Sequence, residues 1–383
     1  MDREIYFDNA ATTCVDSDAA KIATDVMCSF YGNPSSVHAK GIESSHILKK
    51  ARKQVLSCLG LDKDGSVIFT SCGTEANNTA IFSAYEIFSK RCDNIVISDS
   101  EHPSVENCAR ILESKGITVH RIPTKNGKLD IDFAKSVINS KTFLVSCMLV
   151  NNETGAIYDV KSLRKIRDSL APKAYFHVDA VQGFAKLNYN FTDLGADLIT
   201  LSAHKIHAVK GCGALYIKKG IRIIPRLIGG GQESSLRSGT ENLPAIAAFG
   251  HCCDVFAKDK DTILNNYEIL NKTVRENIFK YCPEAIINSG IDGFAHHILS
   301  VSLPGIRSEI LLRFLSERSI YVSSGSACSS NRADNRVLSA FGLDEKIADS
   351  TIRISFSKYN TKEQTEILAK ALKEANEQLI HTL

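Results

Sequence analysis

The chain has 383 residues, of which 44% are hydrophobic and 23% are charged, and its net charge is +3. This composition is ordinary for a globular protein, and the length predicts two domains, or one large domain with a smaller satellite. A charge so close to neutral does not indicate nucleic-acid binding, and no apolar stretch is long enough to span a bilayer.

Up to about residue 260, short β-type runs alternate with helix-length amphipathic segments. The pattern predicts strands at residues 67–70, 94–99, 143–150, 175–178, 198–202 and 213–218, and helices at 75–90, 104–115 and 161–170. Such alternation implies crossover connections, and hence an α/β fold with a mostly parallel central sheet flanked by helices. We assign this large domain to residues 16–260.

The pattern changes after residue 260. It predicts helices at residues 261–281, 308–317 and 362–382, and strands at 297–303 and 352–356. This mixture is typical of a smaller α+β domain. A short predicted strand at 5–8 fits either unit, and we assign residues 1–15 together with 261–383 to the small domain.

Polar residues follow nearly every predicted strand of the large domain. In an open parallel sheet, ligands bind beyond the carboxyl ends of the strands. The residues at or just after these ends are Gly73, Thr74, His102, Asn152, Asp179, Gln182, His204 and Lys205. This set holds nearly every group that a Schiff-base site needs.

Two of these residues, Lys205 and Asp179, indicate pyridoxal 5'-phosphate. A lysine amine kept from water is a good Schiff-base former, although a lone lysine after a strand is usually a surface charge. Asp179 lies in an apolar run, where a carboxylate is costly to bury unless it is paired. A pyridinium nitrogen is such a partner. The alternative for Asp179 is a buried helix cap.

The segment after the first predicted strand offers a phosphate site. Backbone amides at the start of a helix bind anions, and Gly73 and Thr74 lie at such a start. Ser202 and His204, beside Lys205, are candidates for further phosphate contacts. Taken alone, a threonine before a helix is more often an ordinary N-cap.

His102 and Arg353 have two interpretations each. His102 can stack on a flat cofactor and move a proton, or it can be a hydrogen-bonded loop histidine. Arg353, within a predicted strand, can grip a carboxylate with two hydrogen bonds, or it can form an ion pair between the domains. The sequence leaves both alternatives open.

Cys328 differs from the other cysteines in its surroundings. It lies in residues 323–330 (SSGSACSS), a run of small residues that predicts an exposed loop with a reactive thiol. The remaining cysteines lie mostly in apolar or mixed segments and read as small hydrophobic residues. Without a C-x-x-C pair no metal site is expected, and without a signal peptide we expect a reducing, cytoplasmic location.

Taken together, these segments resemble the cysteine desulfurases of the NifS/IscS type, within the class-V family of fold-type I pyridoxal-phosphate enzymes. The resemblance covers nearly the whole chain, and its motifs follow in the family's order. They are residues 6–13 (YFDNAATT), 32–36 (GNPSS), 74–77 (TEAN), 100–102 (SEH), 150–155 (VNNETG), 177–180 (HVDA), 202–205 (SAHK), 237–240 (RSGT) and 323–330.

The resemblance implies how the cofactor is held. Lys205 would carry pyridoxal phosphate as a Schiff base, Asp179 would keep the ring nitrogen protonated, and Gln182 would bond the ring hydroxyl. His102 would stack on the ring and carry protons. The phosphate ligands would be Gly73, Thr74, Ser202 and His204, with Thr240 reaching across a homodimer to the other subunit's phosphate.

The resemblance also implies the reaction, conversion of L-cysteine to L-alanine. Arg353, helped by Asn33, would hold the substrate carboxylate, and Asn152 would lie against the cofactor or the substrate. Cys328 would take the sulfur as a persulfide and pass it to an acceptor protein, for iron–sulfur cluster assembly or other sulfur-containing biomolecules. No membrane or nucleic-acid partner is implied.

Three other functions compete with this one. A selenocysteine lyase shares the chemistry, and a class-V aminotransferase shares the fold but has no use for Cys328. A non-catalytic scaffold would not need Lys205, Asp179 and His102 together. The chain also departs from the family pattern at Cys72, at 208–209 and at 234–235, without losing a catalytic group.

Overall fold

A seven-stranded sheet forms the centre of the molecule. The computed structural model describes residues 4–324 and 335–381. The strands are β1 (Ile5–Tyr6), β2 (Gly65–Thr70), β3 (Asn94–Ser98), β4 (Thr118–Ile122), β5 (Thr142–Met148), β6 (Tyr175–Asp179), β7 (Leu198–Ser202), β8 (Gly213–Lys218), β9 (Ile286–Ile287), β10 (Ile298–Ser302), β11 (Ile320–Tyr321), β12 (Ser323–Ser324) and β13 (Thr351–Ser355). The large sheet has the order β2-β8-β7-β6-β5-β3-β4.

Helices cover both faces of this sheet. They are α1 (Ser17–Ser29), α2 (Ala39–Leu59), α3 (Gly73–Phe88), α4 (Pro103–Ser114), α5 (Ile131–Val137), α6 (Val160–Leu170), α7 (Leu243–Tyr281), α8 (Ser308–Ser316), α9 (Arg336–Phe341), α10 (Glu345–Asp349) and α11 (Lys362–Gln378). No described helix is both long enough and apolar enough to cross a membrane.

Alternation along the strands separates two hydrophobic cores. In β3, Ile95 and Ile97 pack with α3 and α4 on one face, and Val96 packs into the larger core on the other. Successive side chains of a strand point to opposite faces, so a central strand buried on both faces is apolar throughout. This is why the β-type runs were visible in the sequence.

The central sheet is mostly parallel, as predicted. Strands β7, β6, β5, β3 and β4 pair in parallel, whereas β8 pairs antiparallel with both β2 and β7. The prediction missed β4, whose residues are largely half-buried at the sheet edge, and it missed helices α1 and α2. An edge strand has a weaker hydrophobic signature because only part of it is buried.

The remaining strands form two small sheets. One has the order β12-β13-β10-β9, and the other pairs β1 with β11 in parallel. The N-terminal segment joins this region, since Asp8 forms a bridge with Ser355. The division into two domains stays a prediction. Its boundary at residue 260 falls inside α7, next to Asp259, whose φ of −107° and ψ of 16° depart from helical values.

Candidate active site

A cavity of about 480 Å³ lies at the carboxyl ends of the parallel strands. The N-terminal segment and strands β12 and β13 complete its wall. Ten predicted site residues line it: Gly73, Thr74, His102, Asn152, Asp179, Gln182, Ser202, His204, Lys205 and Arg353. The strand-end argument therefore located the cavity, because parallel strands deliver their carboxyl ends to a single edge of the sheet.

Asp179, the last residue of β6, anchors a buried hydrogen-bond network. Its Oδ2 accepts from Asn77 Nδ2 at 2.8 Å, and its Oδ1 accepts from the Val181 N–H at 3.0 Å. Asn77 Nδ2 also lies 2.8 Å from Ser104 Oγ, which lies 2.8 Å from His102 Nδ1. We call Asn77, His102, Ser104 and Asp179 the Asp179 network. Two donors fix the carboxylate before any ligand binds.

The protonation of His102 follows from its contacts. The Ser104 N–H donates to His102 Nδ1 at 3.1 Å, so the proton of the neutral ring lies on Nε2. Burial lowers the pKa of His102; the carboxylate of Asp179 opposes this, and the cations Lys205 and Arg336 add to it. The ring is therefore neutral near pH 7, with Nδ1 engaged as an acceptor by Ser104 and a proton on Nε2 available to donate.

Lys205 follows β7 in a short 3-10 turn, Ala203–Lys205, and lines the cavity. Its Nζ donates to the carbonyl oxygens of Ala10 and Ala11, each at 2.6 Å. The N-terminal segment thus holds the amine in place. The short motif at residues 6–13 supplies these carbonyls, which sequence reasoning did not identify because backbone acceptors carry no sequence signal.

Gln182 and Lys186 form a second buried pair beside Lys205. Gln182 Nε2 donates to the Ala10 carbonyl at 2.8 Å, and its Oε1 accepts from Lys186 Nζ at 2.9 Å. Both side chains are buried, with 4% and 5% of their surface exposed. Lys186 was not predicted, although its spacing of four residues from Gln182 places it within reach.

The start of α3 differs from that of most other helices in the described chain. Its N-cap residue, Cys72, makes no side-chain hydrogen bond to the helix, whereas Asp16 caps α1 and His102 caps α4. Uncapped helix amides attract anions. A side chain at position 73 would crowd Val181, because its Cβ would lie 3.2 Å from Val181 Cγ2. Glycine therefore leaves the start of the helix open to a ligand.

Ser202, the last residue of β7, lies beside the start of α3. Its side chain is 4% exposed and lines the cavity, yet its Oγ has no hydrogen-bond partner among the described residues. A buried hydroxyl without a partner costs free energy, so a ligand oxygen here would satisfy it. With Gly73, Thr74 and His204 it forms what we call the α3 cradle.

His204 contributes to the cradle as a neutral ring. Its Nδ1 lies 3.1 Å from Thr12 Oγ1. Burial, together with the nearby charges of Lys205 and Lys210, lowers the pKa of His204 to about 4. The ring therefore meets an anion as a hydrogen-bond donor rather than as a cation.

Arg353 lies in β13 and reaches the cavity from the side of the small sheets. Its two terminal nitrogens donate to the Asn152 carbonyl oxygen at 2.8 Å and to Asp8 Oδ1 at 2.9 Å. The residue is 5% exposed, and its Nε has no partner among the described residues. Arg353 therefore lines the cavity and forms an ion pair, but with Asp8 of the same predicted small domain rather than between the domains. Its grip on a substrate carboxylate stays a prediction.

Glu101 is a cavity residue that sequence reasoning placed in a motif without a role. It is fully buried, and its Oε1 accepts from Ser98 Oγ at 2.5 Å and from the Met148 N–H at 2.8 Å. Burial raises the pKa of Glu101 to about 8, so it is mostly protonated at neutral pH. With Glu101 neutral, Asp8, Glu153 and Asp179 are the other acidic residues that line the cavity.

Three predicted residues lie elsewhere. Asn33 is exposed and does not line the cavity; its Oδ1 accepts from the Ser35 N–H at 2.9 Å. Thr240 is also exposed and outside the cavity wall. Cys328 lies outside the described residues, but the described residues on both sides of that segment, Ser324 and Arg336, line the cavity.

The fold and this site define a class of protein. The model of the class-V aminotransferase family matches residues 5–368, and the chain belongs to that family. A cysteine desulfurase from Nostoc sp. is 35% identical to it over 378 residues, which is 98% of this chain and 93% of the relative.

Solved structures agree with this assignment. The structure of a NifS-like protein matches with a TM-score of 0.92 at 35% identity, covering 98% of this chain and 100% of that one. A structure described as SspA in complex with cysteine matches with a TM-score of 0.78 at 29% identity, covering 93% of this chain and 100% of that one. The predicted family and fold class are confirmed.

Proposed function

We propose that the protein is a pyridoxal-phosphate-dependent cysteine desulfurase, which converts L-cysteine to L-alanine and retains the sulfur on Cys328. One observation carries this proposal. A single cavity is lined by Lys205, by Asp179, whose carboxylate is held by Asn77, and by Ser202, whose buried hydroxyl has no partner among the described residues. The matching relatives named as cysteine desulfurases support the choice of reaction.

The residues present fit the proposed cofactor. The α3 cradle offers uncapped helix amides and the Ser202 hydroxyl to a phosphate, and Lys205 offers a primary amine to the aldehyde carbon. Asp179 offers a fixed carboxylate to a protonated ring nitrogen. When bound, pyridoxal phosphate supplies an electron sink that weakens bonds at the α-carbon of an amino acid.

The charge pattern of the cavity suits an α-amino acid. Arg353 is a buried cation on the wall opposite the sheet, and a buried guanidinium binds a carboxylate with charge-assisted hydrogen bonds. In binding a substrate it would keep its contact with the Asn152 carbonyl, which fixes its orientation. His102, neutral and held by Ser104, would carry a proton to or from the substrate.

The sulfur step balances without another reactant. The thiolate of Cys328 attacks the sulfur of the substrate, an S–S bond forms, and the C–S bond breaks. The released electron pair stays with carbon, which takes up a proton, so that one L-cysteine and one thiol give one L-alanine and one persulfide. Cys328 is four residues from Ser324, which lines the cavity, and a chain of four residues spans at most about 14 Å.

The wider assignments belong to the same proposal. Residues 16–260 form the cofactor-binding domain, and 1–15 with 261–383 form the small domain. The enzyme works as a homodimer in a reducing cytoplasm, and Thr240 reaches the partner's phosphate. A sulfur-acceptor protein takes the persulfide sulfur onward. The exposed position of Thr240 leaves it available to a second subunit.

The first experiment tests cofactor attachment. Protein incubated with pyridoxal phosphate and reduced with borohydride should gain the mass of one cofactor, measured on the intact chain. Lys205→Met should gain none, while Lys173→Met, which alters an exposed lysine, should match wild type. Labelling of Lys205→Met at the wild-type level would refute the role of Lys205.

The second experiment tests the sulfur step. With L-cysteine and dithiothreitol, which frees sulfide from a persulfide, wild type should release alanine and sulfide in equal amounts. Cys328→Ser should lose about a hundredfold or more of both. Cys28→Ser, which changes an exposed cysteine of α1, is the matched control. An undiminished rate in Cys328→Ser would contradict the proposal.

The same assay separates the competing functions. An aminotransferase would form a keto acid and no sulfide, and Cys328→Ser would leave its rate unchanged. A selenocysteine lyase would prefer L-selenocysteine over L-cysteine by kcat/KM. Comparing these substrates on one preparation therefore decides among the three reactions.

A further inference from the structure

Lys186 is a buried lysine that the proposed reaction does not use. Only 5% of its surface is exposed, and its Nζ donates to Gln182 Oε1 at 2.9 Å. Lysine is among the residue types that are least often buried, because removing an ammonium from water is costly. A lysine kept here therefore needs an explanation from its contacts.

The surroundings of Lys186 favour an uncharged amine. Burial lowers its pKa well below the ordinary value, and the cations Lys205 and Arg353 lower it further. A neutral amine still donates hydrogen bonds, so the contact with Gln182 persists while a third positive charge is avoided. In this form Lys186 acts as a donor and not as a counter-ion.

The backbone before Lys186 is strained. Ala185 has a φ of 54°, in the left-handed region that residues with a Cβ adopt at a cost of about 1 kcal/mol. Strain of this kind persists only where surrounding contacts over-determine it, and it clusters at functional sites. Here the left-handed residue immediately precedes the lysine that reaches back to Gln182.

The orientation of the Gln182 amide follows from its two partners. The Ala10 carbonyl can only accept, so the amide nitrogen must face it, and Lys186 holds the amide oxygen on the other side. An amide NH₂ has two hydrogens. Ala10 takes one, which leaves the second for the cavity that Gln182 lines.

We propose that Lys186 is a positioning residue of the cofactor site, which acts through Gln182 by holding the amide plane so that its second N–H serves the ring hydroxyl oxygen of pyridoxal phosphate. This inference rests on the proposed function, in which Gln182 bonds that hydroxyl. A role in packing alone would make Lys186 matter equally for any molecule seated in the cavity.

The test compares two cofactors in two proteins. Lys186→Met keeps most of the side-chain stem and removes the amine. Dissociation constants are measured by absorbance titration of the apoprotein with pyridoxal phosphate and with 3-deoxypyridoxal phosphate, which lacks the ring hydroxyl. We expect Lys186→Met to weaken binding of pyridoxal phosphate by about three- to tenfold, the factor for one hydrogen bond. Binding of the deoxy analogue should be unchanged.

A double-mutant cycle gives the second readout. If Lys186 acts through Gln182, adding Lys186→Met to Gln182→Leu should cause no further loss of affinity. The absorbance spectrum of bound pyridoxal phosphate should also shift in Lys186→Met, because the environment of its hydroxyl changes. Lys173→Met, at an exposed lysine, should change neither quantity.

Each other outcome overturns something definite. If Lys186→Met lost the same affinity for both cofactors, the role of Lys186 would be structural. If it lost affinity for neither, Lys186 would have no role in cofactor binding. If wild type bound neither cofactor, the proposed function itself would fail. If wild type bound both and Lys186→Met left the ratio of the two dissociation constants unchanged, only the inference on Lys186 would be refuted. Lys186→Leu, judged by the same ratio, is the second variant should Lys186→Met not fold.

Discussion

The Asp179 network and the α3 cradle lie in one cavity but are built on opposite principles. In the network, both carboxylate oxygens of Asp179 have hydrogen-bond donors from the protein itself. In the cradle, the Ser202 hydroxyl has no partner among the described residues and the N-cap of α3 provides no side-chain bond. The Asp179 carboxylate is held by the fold itself, although Asn77 Oδ1 beside it has no partner among the described residues, whereas the Ser202 hydroxyl is left to be bonded by a ligand.

The difference follows from what each end must do. A carboxylate that controls the charge of a ring has to keep a fixed position, and preorganised hydrogen bonds provide this without reorganisation during the reaction. A phosphate brings its own acceptor oxygens, so hydrogen-bond donors that the cradle leaves unpaired are available to bind it. Ligand binding at the cradle should accordingly stabilise the fold by mass action.

The largest expected effect tests the network's chemical role. Asp179→Asn keeps the shape of the side chain but removes the negative charge. We expect kcat/KM for L-cysteine to fall by about 10²–10³-fold, as when one electrostatic group of an active site is removed. Steady-state kinetics with saturating cofactor measure this. An Asp179→Asn enzyme within tenfold of wild type would show that the network is structural only.

The next effect concerns the wall opposite the sheet. Arg353→Met removes the buried guanidinium that meets Asp8 and the Asn152 carbonyl. Losing a charge-assisted contact with the substrate carboxylate should lower kcat/KM by about 10–100-fold, mainly through KM. The affinity for pyridoxal phosphate should stay unchanged, as titration of the apoprotein would verify. A loss confined to the cofactor would reassign Arg353 to that ligand.

A third prediction concerns stability of the cofactor-free protein. Asn77→Ala removes the donor to Asp179 Oδ2 and to Ser104, leaving buried acceptors without it. The free energy of unfolding in urea should fall by about 1–3 kcal/mol. Asn78→Ala, one residue along α3 and only half-buried, removes a single hydrogen bond to the Thr74 carbonyl; it is the matched control and should cost less. Equal effects of the two variants would contradict a prebuilt network.

The smallest expected effect is on the stability of the cofactor-free protein at the α3 cradle, where the expectation is the reverse of that for Asn77→Ala. Ser202→Ala removes a hydroxyl that has no partner, so the free energy of unfolding without cofactor should stay within about 0.5 kcal/mol of wild type. Affinity for pyridoxal phosphate should nevertheless fall by about three- to tenfold. If Ser202→Ala destabilised the cofactor-free protein as much as Asn77→Ala, the contrast between the two ends would disappear.

By itself, the sequence determined the fold class and most of the cavity wall. Strands buried on both faces are continuous apolar runs, and the polar residues that follow them stand out for that reason. Lys205, Asp179 and His102 were therefore recognisable from their positions after predicted strands, and Ser202 from its place beside Lys205; all four line one cavity. The spacing and order of the motifs then indicated the family, which the comparisons confirm.

Only the tertiary structure decided which groups are paired and which are not. Asn77 and Ser104 join Asp179 and His102 from two different helices, the carbonyls of Ala10 and Ala11 come from the far N-terminus to hold Lys205, and Lys186 turns back to Gln182 after a strained residue. Hydrogen bonds between distant segments depend on distances of a few tenths of an ångström. A linear pattern places residues at the same edge of a sheet, but it does not fix such distances.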